Sequence, residues 1–314
     1  MNQVVGRFAP TPSGFVHVGN VFCFLLAWLS AKKQGGRIVL RMEDLDIQRT
    51  SPQLALETMD DLNWLGLTWD EGPALCNNTG PYYQSQRSLI YDVFFTEHLQ
   101  KGNIYPCFCS RTDVKLASAP HTSDGRMIYP GTCRTLDEIQ RTKLSQTKKP
   151  AWRIKVPQKS IRFDDFLQGE YCQDLTTECG DFPVRRADGI YCYHMAVVID
   201  DALMGVNEVV RARDLLSSTP QQIFLYELLG FPVPKFIHIP TVLDDKGNRL
   251  SKRDSSISLR ELRMKYTQEE ILGRLAKLAN LQNEITPRSL NQLLDMFHWD
   301  SVGTEDIFLP PDLF

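Results

Sequence analysis

The opening of the chain sets two short apolar runs on either side of an apolar helix, and this constrains its fold more than any other feature. Val4 to Phe8 reads as a buried strand that Pro10, Pro12 and Gly14 break. Val18 to Lys33 reads as a helix stopped at Gly35-Gly36, and Arg37 to Met42 as a second strand. A strand–turn–helix–strand unit in this order begins a parallel α/β sheet, whose ligands collect at the carboxyl ends of the strands.

The rest of the sequence extends that pattern and interrupts it once. Pro52 to Leu65 is predicted helical, with apolar Leu54, Leu56, Met59, Leu62 and Leu65, and Arg87 to Lys101 is another helix closed by Gly102. From Tyr105 to about Arg186 the chain turns rich in cysteine, threonine and lysine, with strand-like pieces such as Ala151 to Val156, and reads as an insertion. The α/β pattern resumes at Tyr193 to Ile199, where Tyr193 and Arg211 flank a strand and turn. A helix at Thr219 to Leu229 and a strand at Phe236 to Leu243 follow. Ser258 to Leu294 contains helical stretches broken near Pro287. Four parts are expected: 1–104, the first half of the catalytic domain; 105–186, the insertion; 187–254, its second half; and 255–314, a short helical C-terminal region.

Bulk properties narrow the class. The 314 residues can bury one large core or two modest ones, and 42% hydrophobic with 23% charged residues is ordinary for a soluble protein. A net charge of −3 gives no global positive field, so nucleic acid would have to be met by a local basic groove. Arg185-Arg186 and Arg211 with Arg213 are candidates for one, against the plainer reading of solvated or structural charges. The apolar run Val21 to Leu29 is too short to span a bilayer, so no membrane role is expected. Met1-Asn-Gln-Val-Val leads straight into a motif, which fits no signal peptide. The eight cysteines are irregularly spaced, as reduced thiols with a metal site would be, and a cytoplasmic location is expected.

Two separated segments carry chemistry. The first is Arg7-Phe-Ala-Pro-Thr-Pro-Ser-Gly-Phe-Val-His17-Val-Gly19-Asn20. A glycine-bearing turn opening a helix offers backbone N–H groups and a positive helix end to phosphates, His17 adds a donor, and Gly19 lets a base lie close to the backbone. A bare His-x-Gly-x is equally an ordinary capped turn; the full stretch is not. The second segment is Arg249-Leu-Ser251-Lys252-Arg253, behind a Gly247-Asn248 hinge. The compact ammonium of Lys252 suits a migrating pyrophosphate charge, and alone the segment would be a solvated basic turn.

In this order the two segments resemble the signature motifs of class I aminoacyl-tRNA synthetases. The first is similar to the glutamyl subgroup, with Asn20 departing from its general His-x-Gly-His form. The second resembles the Lys-Met-Ser-Lys-Ser loop, with arginine, leucine and arginine replacing the first lysine, the methionine and the last serine. The resemblance implies a Rossmann-type parallel-sheet core, ATP with Mg²⁺ as substrate, and glutamate activated as its adenylate. His17 and Lys252 would be catalytic. His17, Gly19, Asn20, Ser251 and Lys252 would bind ATP. Arg7, Phe8, Ala9, Pro10, Thr11, Glu43, Tyr193 and Arg211 would contact glutamate. Two carboxylates call for arginine forks, and an ammonium for one acid. Arg211 alone could equally be a structural ion pair with Glu208 or Asp214, and Tyr193 a core tyrosine.

Cys107-Phe-Cys109, with Tyr129-Pro-Gly-Thr-Cys133 further on, offers three thiolates for tetrahedral zinc, against a plain reading of unliganded reduced cysteines. From the residues alone His121 could be a fourth ligand. The spacing also resembles the zinc site of the glutamyl-queuosine tRNA(Asp) synthetases, which points to Tyr129 instead; the loop from Ala117 to Arg126 is longer here. Cys23, Cys76, Cys172, Cys179 and Cys192 show no such pattern. Residues 255–314 are too few for the anticodon-reading domain of a standard glutamyl-tRNA synthetase. The expected activity is therefore transfer of glutamate to queuosine in the anticodon arm of tRNA(Asp), with no dedicated general base. The alternatives are a truncated ligase charging the 3′ end of tRNA(Glu) and a non-catalytic tRNA- or nucleotide-binding paralogue.

Overall fold

In the computed structural model of the chain, the described residues are 3–75, 79–110, 112–114, 128–248, 250, 257–310 and 312–314. Strands β1 (Val5–Phe8) and β2 (Arg37–Leu40) pair in parallel, Val5 opposite Arg37 and Phe8 opposite Leu40, with helix α1 (Val18–Lys33) as the crossover. The strands divide their side chains between two cores, as alternation requires. Ile38 and Leu40 join α1 in one core, whereas Val5 and Val39 face the other. Helix α2 (Pro52–Trp64) buries Ala55, Met59 and Leu62 but leaves Leu56 exposed, outside the expected stripe. Helix α3 is Ser88–Gln100.

The insertion is a small antiparallel layer. β3 (Ile104–Cys107) is followed by helix α4 (Glu138–Ser145), and β4 (Ala151–Ile154) pairs with β3. Next comes a hairpin of β5 (Ser160–Asp165) and β6 (Gly169–Asp174), then helix α5 (Leu175–Glu178) and β7 (Pro183–Arg185), which pairs with β4. The hairpin reaches back to the main sheet, with the Phe163 ring set edge-on to Phe236, 6.1 Å between centroids.

The predicted strand at Tyr193 is instead helix α6 (Tyr193–Leu203), and the strand comes later, as β8 (Glu208–Ala212). Met195 to Asp201 is buried on every side, so its sequence shows no helical stripe. A strand would send Asp200 and Asp201 to opposite faces. The helix instead brings both to the Arg41 guanidinium, Asp201 Oδ1 at 2.7 Å and Asp200 Oδ2 at 3.7 Å. Helix α7 (Thr219–Leu229) leads to β9 (Lys235–Ile239), parallel to β8. β1 lies beside β8, since Asn207 N donates to Val5 O and Asn207 Oδ1 accepts from Val5 N. The single strand expected from Phe236 to Leu243 stops at Pro240 and restarts as β10 (Val242–Leu243).

Helices α8 (Leu259–Leu262), α9 (Gln268–Leu278) and α10 (Leu290–Met296) put Leu259, Leu262, Ile271, Leu275 and Leu293 into the α1 core, and β11 (Ile307–Phe308) pairs with β10. The C-terminal region thus shares the core of the first strand–helix–strand unit. Among the described residues no helix is long and apolar enough to cross a membrane.

Candidate active site

A cavity of about 640 Å³ opens at the carboxyl ends of β1 and β8. It is lined by Arg7, Ala9, Pro10, Thr11, His17, Gly19, Asn20, Glu43, Tyr193 and Arg211, all expected from the sequence. Phe8, also expected there, does not line it: its ring is fully buried against Phe24, 5.2 Å between centroids. Strand alternation explains this, since Arg7 and Phe8 leave opposite faces of β1. Ser251 and Lys252 lie outside the described residues, as do Arg249, Arg253 and His121.

The first motif is built around the start of α1. His17 caps the helix, its Nδ1 accepting from Asn20 N. A Cβ on Gly19 would stand 3.3 Å from the His17 ring, so glycine keeps this helix mouth open. The chain just beyond the second motif is stitched to it, with Val18 N donating to Ile257 O and Leu259 N to Val16 O. Leu250, the second residue of that motif, lines the cavity. Leu250 and the chain just beyond the second motif therefore both lie at the first.

The charged groups divide by environment. Arg7 donates to Val210 O at 2.9 Å and sits 3.6 Å from Asp201. Glu43 takes one hydrogen bond from Arg41 at 3.1 Å, and burial, the largest influence, raises its carboxyl above the ordinary value despite that partner. Arg211 is 3% exposed. It donates to His238 Nε2 at 2.9 Å, Gln222 Oε1 at 2.7 Å and Thr219 Oγ1 at 2.8 Å. All three are neutral acceptors. The ion pair with Glu208 or Asp214 is not made: Glu208 instead accepts from Ser30 and pairs with Lys235. Burial first, and then the nearby Arg7 cation, oppose the charge on Arg211. A buried cation held by neutral groups beside a second cation is an environment that an anion would stabilise.

Tyr193, at the start of α6, lines this cavity and a second one of about 950 Å³. The two share Thr11, Ser13, Glu43 and Tyr193; the second adds Asp46, Arg49, Gln84, Arg186 and Tyr191. No motif marks this annex, because its walls come from four separate segments. Arg186 is paired with Asp46 and Asp188, Arg185 with Asp92, and Arg213 with Glu305, so the candidate basic groove is largely neutralised by the protein's own carboxylates.

The cysteine cluster forms as the spacing anticipated. The sulfurs of Cys107, Cys109 and Cys133 lie within 4.8 Å of one another, with Cys109 to Cys133 at 3.6 Å. The Tyr129 hydroxyl is 3.4 Å from Cys107 Sγ and 3.7 Å from Cys109 Sγ. Ligands about 2.3 Å from a tetrahedral zinc would stand about 3.8 Å apart, so this donor set fits. Arg153 stacks on the Tyr129 ring at 3.9 Å and donates to Cys107. Burial pushes the Cys109 thiol up to about 12.

Comparison with known proteins places the chain in a family. Residues 3–294 match the family of class I tRNA synthetases (E and Q), catalytic domain. The chain therefore belongs to that family of ligases. Within it, a glutamyl-Q tRNA(Asp) synthetase of Nitratidesulfovibrio vulgaris is 42% identical and one of Symbiobacterium thermophilum 45% identical, each over 99% of this chain and 97% of the relative. The chain belongs with these glutamyl-Q tRNA(Asp) synthetases. Glutamate–tRNA ligase 1 of Halorhodospira halophila is 38% identical over 99% of this chain, which spans 66% of that ligase. A crystal structure of a glutamate tRNA ligase from Elizabethkingia meningosepticum in complex with its amino acid superposes with a TM-score of 0.84 at 28% identity, covering 99% of this chain and 68% of that one.

Proposed function

We propose that this protein activates L-glutamate with ATP and Mg²⁺ as glutamyl-adenylate and transfers the glutamyl group to the queuosine base in the anticodon arm of tRNA(Asp). Arg211 carries the choice of amino acid: a buried guanidinium with neutral partners is completed by a substrate carboxylate, and Glu43 across the cavity takes the ammonium. His17, Gly19 and Asn20 at the α1 N-terminus hold ATP, and Lys252, whose flanks meet at the same mouth, neutralises the departing charge. A glutamate carboxylate oxygen bonds to the α-phosphorus as the bond to pyrophosphate breaks. A cyclopentene hydroxyl of queuosine then attacks the activated carbonyl; an ester forms, AMP leaves, and the hydroxyl proton is lost to solvent or AMP. Both steps need positioned reactants above all. The second cavity, sharing a wall with the first, is where the acceptor nucleoside would enter. Zinc, held by Cys107, Cys109, Cys133 and Tyr129, would fasten the insertion and take no part in the chemistry. The reading places the enzyme in the cytoplasm with its tRNA.

The test is transfer of labelled glutamate to tRNA(Glu), to tRNA(Asp) carrying queuosine, and to tRNA(Asp) without it. Only the queuosine-bearing RNA is expected to be labelled. Labelling of tRNA(Glu) instead would make the protein a minimal ligase, and adenylate formation with no labelling would leave the acceptor misassigned.

A further inference from the structure

Behind Arg211, and outside the cavity, stands a buried pair that neither motif contains. His238 on β9 is wholly buried, and its Nδ1 lies 2.6 Å from Asp165 Oδ2. Its Nε2 faces Arg211 Nε at 2.9 Å and Thr219 Oγ1 at 3.1 Å. Arginine only donates, so Nε2 must be the bare, accepting nitrogen and the ring proton must sit on Nδ1, where Asp165 accepts it. Asp165 is itself fixed, since its Oδ1 accepts from Leu167 N, Gln168 N and His238 N at 2.9–3.1 Å. Thr219 Oγ1 and Gln222 Oε1 take two further guanidinium hydrogens. Of the five that arginine carries, two remain, one on each terminal nitrogen, and Arg211 itself lines the cavity.

We infer that Asp165 and His238 are positioning residues for glutamate selection: the carboxylate sets the histidine tautomer, and the tautomer sets the aim of Arg211. The inference rests on Arg211 being the glutamate receptor. It assigns the β5–β6 hairpin of the insertion a role in amino-acid recognition, although Asp165 lies 73 residues from His238 and lines neither cavity.

Asp165→Asn separates this role from a merely structural one. The three backbone N–H groups on Oδ1 would claim the amide oxygen and turn the NH₂ toward His238 Nδ1. That nitrogen would then have to accept, moving the ring proton to Nε2, where it would confront the Arg211 N–H and compete with Arg211 for Thr219 Oγ1 as acceptor. The expected result in glutamate-dependent pyrophosphate exchange is a rise of about tenfold or more in KM for glutamate, with kcat and KM for ATP within about twofold of wild type. The ¹⁵N spectrum of the His238 ring should show protonation moving from Nδ1 to Nε2. An unchanged KM with the tautomer reversed, or a fall in kcat with KM preserved, would overturn the inference. So would an Nε2-protonated ring in the wild-type protein, which needs no variant to fold. Should Arg211→Ala leave KM for glutamate unchanged, the receptor reading fails, while the ring measurement still reports on the pair.

Discussion

Two buried arginines stand near the same cavity and are treated in opposite ways. Arg41, fully buried at the end of β2, is surrounded by Asp200, Asp201 and Glu43. Arg211, nearly as buried at the end of β8, has His238, Gln222 and Thr219, none of them charged. The first charge is satisfied by the fold, whose carboxylates raise the Arg41 guanidinium well above its ordinary value against the cost of burial. The second has only neutral hydrogen-bond partners. Arg41 is thus paired by the fold itself, whereas Arg211, on the function proposed above, serves recognition, although both come from strand ends where sequence reasoning looks for ligands.

Substitution should separate the two. Arg211→Ala is expected to lower kcat/KM for glutamate about a thousandfold, about 4 kcal/mol, with an unfolding midpoint near that of wild type, because charge-assisted bonds to substrate are lost. Arg41→Met should do the reverse at first sight: unfolding titrations should show a loss of roughly 3–4 kcal/mol, since Asp200 and Asp201 are left buried without their shared partner. Equal stability loss in both variants would break the comparison.

The neutral cradle also predicts a pH dependence. Burial, opposed by the Asp165 hydrogen bond and reinforced by the nearby Arg211 and Arg7 cations, lowers His238 from 6.5 to about 4. The folded protein therefore resists protonation that the unfolded chain accepts. The stability this confers is fully present above pH 6.5 and is lost as pH falls through about 4, a change of about 3 kcal/mol in urea titrations. His238→Gln should flatten that limb; an equally steep limb in the variant would assign it to other groups. Arg211→Lys should cost roughly a hundredfold in kcat/KM, about 2.7 kcal/mol, because an ammonium keeps the charge but cannot fill three fixed acceptors and two substrate bonds at once. The smallest effect on activity is expected from the distant thiol cluster. Cys109→Ser should lower zinc content by elemental analysis and loosen the insertion, and unchanged metal content would remove the proposed site.

The sequence exposed one side of the comparison better than the other. Arg7, His17, Glu43 and Arg211 were legible because each sits in or beside a motif, and all four line one cavity. The α1 bounds were legible from the glycine stop and the apolar run. Phe8 was misplaced because a motif names consecutive residues whereas a strand presents alternate ones to a ligand. The segment after Tyr193 was read as strand and turn because a helix buried all round shows no stripe. Asp165 and His238 carried no signal: one lies in the insertion, the other on β9, and only tertiary packing brings them behind Arg211. What holds a recognition residue in place is a matter of fold, and single-residue motifs do not record it.

The most direct measurement is a crystal structure of the protein soaked with L-glutamate. The account predicts a carboxylate of glutamate within about 3 Å of the terminal Arg211 guanidinium nitrogens, with the bonds to His238, Gln222 and Thr219 unchanged. Glutamate bound with neither carboxylate on Arg211 would contradict it.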